Sequence, residues 1–177
     1  AKRHGLGPVG YFQVYLGPLV APLCTMLGWC VVFYVTIAIV QQLAEWLPWL
    51  ARSVWRRAWA TTLLALSMDA QLDPLASMSG VFWRWNEALP HGFLGVPWLN
   101  YAAWLGAFLP FSWFVFAILD RPDLSERQKN WEIFLRVALA SLLGGFICFG
   151  VMALVEGGFD GPTFDILRQF GERLLPY

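Results

Sequence analysis

The chain has 177 residues, of which 58% are hydrophobic and 17% aromatic, while only 14% are charged. A soluble domain carries about 25% charged residues, so this composition argues against a soluble protein and indicates a membrane protein. The formal net charge is zero, and because there is no basic surplus to neutralise phosphates, we expect no nucleic-acid partner.

The first predicted element is a transmembrane helix from about residue 16 to 44. This stretch is almost entirely apolar and exceeds the ~20 residues that span a bilayer. The chain begins at Ala1 with neither a methionine nor a signal peptide, so we expect further residues upstream in the complete protein. An interfacial segment at headgroup depth is predicted next, from tryptophans interleaved with charged residues: Trp46, Trp49, Trp55, Glu45, Arg52, Arg56 and Arg57.

A second span is predicted from about residue 57 to 80 and a third from 97 to 119, joined by a loop rich in Trp and Gly. The second contains Asp69 and Asp73, and at ~1.5 Å per residue Asp69 lies about 18 Å from its start, near the middle of the membrane. Pro74 has no amide donor and is expected to kink or break this helix near Leu72.

A fourth span is predicted from about residue 131 to 155, after a hydrophilic loop. Gly144 and Gly145 within it are small residues that allow helices to approach closely. Residues 163–175 have apolar side chains at helical spacing and a polar face, which predicts an amphipathic surface helix capped by Thr163. The sequence therefore predicts an all-α polytopic membrane protein, one domain over residues 1–177, with about four transmembrane helices plus interfacial helices.

The chain offers little for metal binding. Cys24, Cys30 and Cys148 lie in apolar runs without Cys-x-x-Cys spacing, so we expect buried, inert thiols. His91 lies between Pro90 and Gly92 without a partner histidine, and we do not assign it to a pigment metal or a haem. The sequence therefore predicts no metal site.

The two aspartates of the second span are the main candidates for chemistry. Asp69 and Asp73 are four residues apart, which on a helix places both carboxyl groups on one face. Burial favours the neutral form of a carboxyl group, and a like charge beside it does the same, so we expect the pair to hold one proton and to act as acid and base. Two structural alternatives remain open: Asp73 as the N-cap of a helix restarting at Pro74, and Asp69 in an ion pair with Arg84.

The loop after the second span supplies further candidates. Trp83 and Trp85 have an aromatic belt at the membrane surface as their alternative role, as does Trp104 in the third span. Asn100, just inside the third span, is expected to bond a neighbouring helix if it does not bind a substrate. Glu132 and Arg136, at the start of the fourth span, form an i,i+4 pair that we interpret as structural.

These residues resemble the integral-membrane carotenoid biosynthesis family that includes the carotenoid 1,2-hydratases and the bisanhydrobacterioruberin hydratases. The match rests on Asp69-x-x-Leu72-Asp73-Pro74, on Trp83-x-Trp85, and on Gly95-Val96-Pro97-x-x-Asn100-x-x-x-Trp104. It extends upstream to Leu16-Gly17-Pro18, Pro22, Trp29 and Tyr34, and so covers about residues 16 to 119. Family members have one or more helices upstream of this region, which agrees with an expected segment before Ala1.

The resemblance implies addition of water across the terminal C1–C2 double bond of an acyclic carotenoid end group, by a hydro-lyase that needs no cofactor. A neutral buried Asp would supply the proton and Trp faces would stabilise the tertiary cation. Asp69 and Asp73 are then catalytic, and the residues assigned to substrate binding are Trp83, Trp85, Asn100 and Trp104. The expected partners are a carotenoid or other isoprenoid lipid and the lipids of a bacterial or archaeal inner membrane, with a site open sideways to the bilayer.

A second class of function stays open at this point. The chain is then a non-catalytic transmembrane subunit that binds carotenoid, or that packs with other membrane subunits in a larger pigment–protein complex. A small transporter or channel fits less well, because one clustered Asp pair gives no continuous polar path across the membrane.

Overall fold

The computed structural model describes residues 13–16, 19–78, 85, 89–90, 92–165 and 168–169. Its helices are α1 (Leu23–Trp46), α2 (Pro48–Ala51), α3 (Val54–Met78), α4 (Trp98–Leu119) and α5 (Glu126–Glu156). Two short antiparallel strands, β1 (Gln13–Leu16) and β2 (Leu19–Pro22), precede α1, and a 3₁₀ turn (Phe93–Gly95) precedes α4. The helices confirm the predicted all-α membrane architecture.

Three helices are long and apolar enough to cross a membrane: Leu27–Trp46 within α1, Trp98–Leu119, and Glu126–Glu156. They correspond to the first, third and fourth predicted spans. At 25 residues α3 has the length to span a bilayer, but its charged and amide side chains make it more polar than the other three. It packs against both α1 and α4, and its assignment as the second predicted span stays a prediction.

The predicted ends of the first and fourth spans are wrong by several residues. Residues 16–22 were assigned to the first helix, but β1 and β2 occupy part of that stretch and α1 begins only at Leu23. The helix α5 begins five residues early because Ser125 and Gln128 form a capping box, in which the Ser125 amide donates to the Gln128 side chain at 2.9 Å. It ends at Gly157, whose φ of 74° suits the left-handed C-terminal position.

Of the kink or break predicted at Pro74, the break is wrong, and the kink stays a prediction. The helix α3 continues through Pro74 to Met78, so Asp73 does not cap a restarted helix. Proline removes a single intrahelical hydrogen bond here, and the helix ends only four residues later. The Asp73 carboxylate instead points to α4, as an interior position would require.

α3 and α4 face each other through two stripes of buried residues at i,i+4 spacing. Arg57 lies over the Phe116 ring at 5.0 Å, Ala65 shares a buried cluster with Phe108, and Asp73 accepts a hydrogen bond from Asn100. Between one pair and the next, the position moves eight residues forward along α3 and eight residues backward along α4. The same register places two further pairs opposite one another, Thr61 with Ser112 and Asp69 with Trp104.

α4 and α5 approach each other at two glycines. A Cβ on Gly144 would lie 2.3 Å from the Gly106 carbonyl oxygen, and one on Gly106 would lie 2.4 Å from that of Gly144. The backbones therefore touch, as predicted for Gly144. Gly145 differs, since a Cβ there meets nothing within 4 Å, so it plays no part in this approach.

Two further expectations about single residues need correction. Arg57 was placed in an exposed interfacial segment, but it is 9% exposed and paired with Asp120, while Trp46, Trp49 and Trp55 are exposed as a belt requires. Cys30 was expected to be buried but lies exposed on α1. The exposure of each residue depends on which face of its helix it occupies, and the neighbouring residues in the sequence do not show that face.

The predicted pair of Glu132 and Arg136 is confirmed at 3.1 Å. Most of the predicted helix over residues 163–175 lies outside the described residues. Its start is described, and Thr163 is inside the first turn rather than before it: the Thr163 amide donates to the Glu156 carboxylate at 3.2 Å. Glu156 therefore takes the capping role that was expected of Thr163.

Candidate active site

Asp69, Asp73 and Asn100 form a buried polar cluster between α3 and α4. The Nδ2 atom of Asn100 donates to the Oδ2 atoms of both Asp69 and Asp73, each at 2.7 Å. Asp69 is 1% exposed and Asp73 7%, and because the Oδ2 atoms of both accept from the same nitrogen, the two carboxyl groups lie close together. The structure thus brings together three of the predicted site residues from two helices.

This cluster holds acid groups that are not neutralised by the described residues around it. Asp69 Oδ1 is buried without a hydrogen-bond partner among those residues, and the one side-chain donor shown for the pair is an uncharged amide. Two carboxyl groups this close cannot both be ionised at modest cost, whereas a single shared proton satisfies both of them. The arrangement suits proton donation by one group and proton acceptance by the other.

The start of α4 is held in place by the segment before it, which fixes the position of Asn100. The Gly92 amide donates to the Val96 carbonyl at 2.8 Å, and the Tyr101 hydroxyl donates to the Phe93 carbonyl at 3.0 Å. A Cβ on Gly92 would lie 2.6 Å from the Val96 carbonyl oxygen, so only glycine fits this turn. The 3₁₀ turn packs against α3, so both partners of the cluster are anchored together.

An aromatic layer lies one turn deeper in the protein than Asn100. Trp104, the residue one turn after Asn100, stacks on Phe108 with ring centroids 5.1 Å apart and meets the ring of Trp29 at 4.7 Å. Phe33 of α1 stacks on Phe108 at 3.9 Å. Trp104 is 7% exposed and lies opposite Asp69 in the α3–α4 register, so the aromatic layer follows the acid pair along α4.

Sequence reasoning assigned no role to Trp29, Phe33 or Phe108. Their signal was available as i,i+4 aromatic pairs, since Trp29 and Phe33 are four apart in α1 and Trp104 and Phe108 are four apart in α4. Knowing that α1 and α4 face each other was the missing step. Those rings, together with Asn100 as a shared donor, are what the structure adds to the site.

Comparison with known proteins identifies the family. The model of the family described as carotenoid biosynthesis protein matches residues 9–164. The chain belongs to the carotenoid biosynthesis protein family. No curated protein and no solved structure matches it.

Membership of the carotenoid biosynthesis family gives the protein a role in carotenoid biosynthesis and, with its three apolar helices, integration in a membrane. A lipid-like substrate fits both findings. The matched region contains the acid pair, Asn100 and the aromatic layer. These are the described residues on which a proposal about the reaction can rest.

Several predicted site residues of this carotenoid biosynthesis protein remain untested. Trp83, Arg84 and His91 lie outside the described residues, so neither substrate binding by Trp83 nor the ion pair of Asp69 with Arg84 is addressed. Trp85, in the segment that connects α3 to α4, is half-buried, and its part in substrate binding stays a prediction.

An apolar cleft of about 560 Å³ lies between α1, α4 and α5, on the other side of the aromatic layer from the acid pair. Trp29, Phe33 and Phe111 line one side of it, and small residues of α4 and α5 line the rest. Neither aspartate lines it, so the cleft and the acid pair are neighbours separated by the Trp29–Trp104 ring pair.

Proposed function

We propose that this protein hydrates the terminal C1–C2 double bond of an acyclic carotenoid end group. The observation that supports this best is the Asp69–Asp73 pair, held by one Asn100 amide, with Trp104 opposite Asp69 in the helix register. Hydration of a trisubstituted alkene needs a strong acid, stabilisation of a tertiary cation and a base that accepts a proton from the attacking water. The pair and the aromatic layer supply groups of each kind.

The reaction proceeds in two steps on this proposal. The protonated carboxyl of Asp69 gives its proton to C2, the alkene electron pair forms the new C–H bond, and the positive charge develops at C1. A water oxygen then bonds to C1, and one of its protons passes to the Asp73 carboxylate. The product is a tertiary alcohol, and proton exchange between the two carboxyl groups restores the starting state.

Each neighbour of the pair has a part in this scheme. The ionised carboxylate and the electron-rich face of Trp104 lower the energy of the cation in a site where water screens little. Asn100 donates to both aspartates and so acts as a positioning residue. It is uncharged, so unlike a buried arginine in its place it does not hold Asp69 in the ionised form, which has no proton to give.

The test is the substitution Asp69→Asn in the full-length protein, co-expressed with an acyclic carotenoid pathway. The fraction of hydroxylated end groups, measured by mass spectrometry, is expected to fall by about a hundredfold or more, because an amide cannot protonate an alkene. Asp73→Asn is expected to impair conversion as well. Asp123→Asn, in the exposed loop after α4, is the matched control and should convert like the unmutated protein.

Two outcomes would contradict the proposal. Unchanged conversion by Asp69→Asn would exclude this residue as the acid. Failure of the unmutated full-length protein to hydrate any acyclic carotenoid, with pigment still bound to it, would instead favour the non-catalytic pigment-binding subunit.

A further inference from the structure

We propose that the cleft between α1, α4 and α5 binds the polyene chain of a carotenoid while the end group extends to the acid pair. Assignment of the end group rests on the proposed function, but binding of the chain does not. The occupant is an extended, conjugated hydrocarbon, and four observations on the described residues lead to it.

The first observation is the chemistry of the lining. One side of the cleft is aromatic, with the rings of Trp29, Phe33 and Phe111, and the opposite side presents Gly144 and Gly145 of α5. No charged side chain occurs among its described lining residues. The rest of the α5 lining has small or medium side chains, namely Val137, Ala140, Ser141 and Cys148. Flat aromatic faces opposite such a shallow surface form a slot suited to a flat π-system, which gains dispersion and stacking energy from both sides.

The second observation is that the slot cannot close on itself. Contact between the Gly106 and Gly144 backbones fixes the separation of α4 and α5, so these two walls of the cleft cannot move together. A Cβ on Gly145 would meet nothing within 4 Å, so this residue borders open space rather than packed atoms. A rigid polyene loses little conformational freedom in such a slot, whereas a flexible saturated chain loses much more.

The third observation is that the cleft ends close to the acid pair, with the Trp29–Trp104 ring pair between them. Ala103 lines the cleft and lies three residues after Asn100, a rise of about 4.5 Å along α4. Trp29 forms part of the cleft wall and contacts Trp104, which faces Asp69. From Ala103 to Phe111 the cleft follows α4 for about 12 Å, so a chain lying in it runs toward the cluster of Asp69, Asp73 and Asn100.

The fourth observation is family membership, which makes a carotenoid available as the occupant. The cleft is also formed by both α1 and α5, two of the helices that are long and apolar enough to lie in the bilayer. A carotenoid dissolved in lipid could therefore enter sideways without passing through water.

The experiment narrows the cleft without disturbing the packing of the helices. Gly145→Leu places a side chain in the open space of the cleft, whereas substitution of Gly144 would collide with α4. Gly150→Leu is the matched control, because it lies on the same helix, has equally open surroundings and does not line the cleft. Ser141→Leu, one turn before Gly145 and also in the lining, is a second blocking variant.

Binding is measured separately from turnover. Each variant is combined with Asp69→Asn in the full-length protein in nanodiscs, and its affinity for lycopene is taken from quenching of tryptophan fluorescence. We expect Gly145→Leu and Ser141→Leu to weaken the affinity about tenfold or more and Gly150→Leu to leave it unchanged. Squalane, a saturated chain without a π-system, is expected to compete poorly.

Each alternative has its own outcome. Unchanged lycopene affinity in both blocking variants would overturn the proposal. Equal competition by squalane would also overturn it, because the cleft would then bind any hydrocarbon chain and not a polyene in particular. A change of oligomeric mass with Gly145→Leu would make this face an interface between two copies of the chain and also overturn it. Cleft-dependent lycopene binding without any hydrated product from the unmutated protein would leave this proposal standing and contradict the proposed function alone.

Discussion

Charge is buried at both ends of the α3–α4 interface, but in opposite ways. At the ion-pair end, formed by Arg57, Asp120 and Phe116, a cation meets a carboxylate and an aromatic face. At the acid end, formed by Asp69, Asp73 and Asn100, two carboxyl groups share one uncharged amide. The same pair of helices therefore carries one site in which opposite charges are paired and another in which two acidic groups lie side by side.

The difference separates a structural role from a chemical one. An ion pair of opposite charges can hold two helix ends together, although the energy gained is offset by desolvation. Two buried acids side by side oppose folding, since burial and mutual repulsion both act against the charged form. A site that costs stability and is nevertheless built from three residues on two helices fits a role in chemistry. The following predictions test this contrast.

The largest effect on stability is expected at the ion-pair end. Asp120→Asn leaves Arg57 buried with its charge uncompensated, and we expect a loss of about 2 kcal/mol in the free energy of unfolding. The value lies below the 3–5 kcal/mol of a fully buried pair, because the Asp120 side chain is 46% exposed. Thermal unfolding in detergent measures it. Asp123→Asn, which breaks the exposed pair with Arg121, is the control and should not move the melting temperature measurably.

At the acid end the expected sign is opposite. Asp69→Asn removes an acid whose Oδ1 atom has no partner among the described residues and introduces an amide that can donate to Asp73. We expect stability to rise by up to about 1 kcal/mol while conversion is lost. The same thermal unfolding measurement applies. A loss as large as that of Asp120→Asn would show that the acid end is structural, and the contrast between the two ends would then fail.

A smaller effect is expected midway between the ends. Thr61 and Ser112 face each other in the α3–α4 register, and the hydroxyl of each is buried without a partner among the described residues. Replacing both, Thr61→Val with Ser112→Ala, should stabilise the protein by about 0.5 kcal/mol, because no hydrogen bond is lost.

Thr62→Val is the matched control for this double variant. Its equally buried hydroxyl donates to the Ala58 carbonyl at 2.8 Å, so its replacement should destabilise by roughly the same amount. Comparing the two by unfolding in detergent shows whether hydroxyl partnering, rather than residue size, decides the sign.

The smallest effect concerns pH and the exposed ion pair next to Asp120. A hydrogen bond from Arg121 is the main cause that lowers the pKa of the Asp123 carboxyl. Its contribution to stability is therefore present above the ordinary aspartate pKa of about 3.9 and is lost as the pH falls through the lowered value. The pair is fully exposed, so we expect only a slight fall in melting temperature below about pH 4, absent in Asp123→Asn. A fall as steep as that of a buried pair would contradict its exposed position.

Much of the helix content was predictable because long apolar runs leave few alternatives. Hydropathy located α1, α4 and α5, and i,i+4 spacing placed Asp69 and Asp73 on one face. The predicted role of Gly144 in helix packing was confirmed, but Gly145 beside it borders open space. Composition treats the two glycines alike, and only the rotation of α5 about its axis distinguishes them.

Errors arose where a local signal competed with tertiary contacts. Pro74 after Asp73 is a good local signal for a helix start, yet α3 runs through it, and Asp73 bonds Asn100 across the interface. Arg57 among tryptophans suggested the membrane surface, yet Asp120, far along the chain, draws it into a buried pair. In both cases the deciding partner lies on α4 or directly after it, and spacing along the sequence does not show which residues of two helices are close in space.

By itself the sequence determined that this is a helical membrane protein with two acids on one helix face, because hydropathy and helical periodicity act along a single chain. Only the tertiary structure decided what those acids meet. The antiparallel register of α3 on α4 sets Asn100 between the two carboxyl groups, Trp104 opposite Asp69, and Arg57 near Asp120. Such a register depends on side chains interlocking across a packed interface, a property of two surfaces together that neither stretch of sequence contains alone.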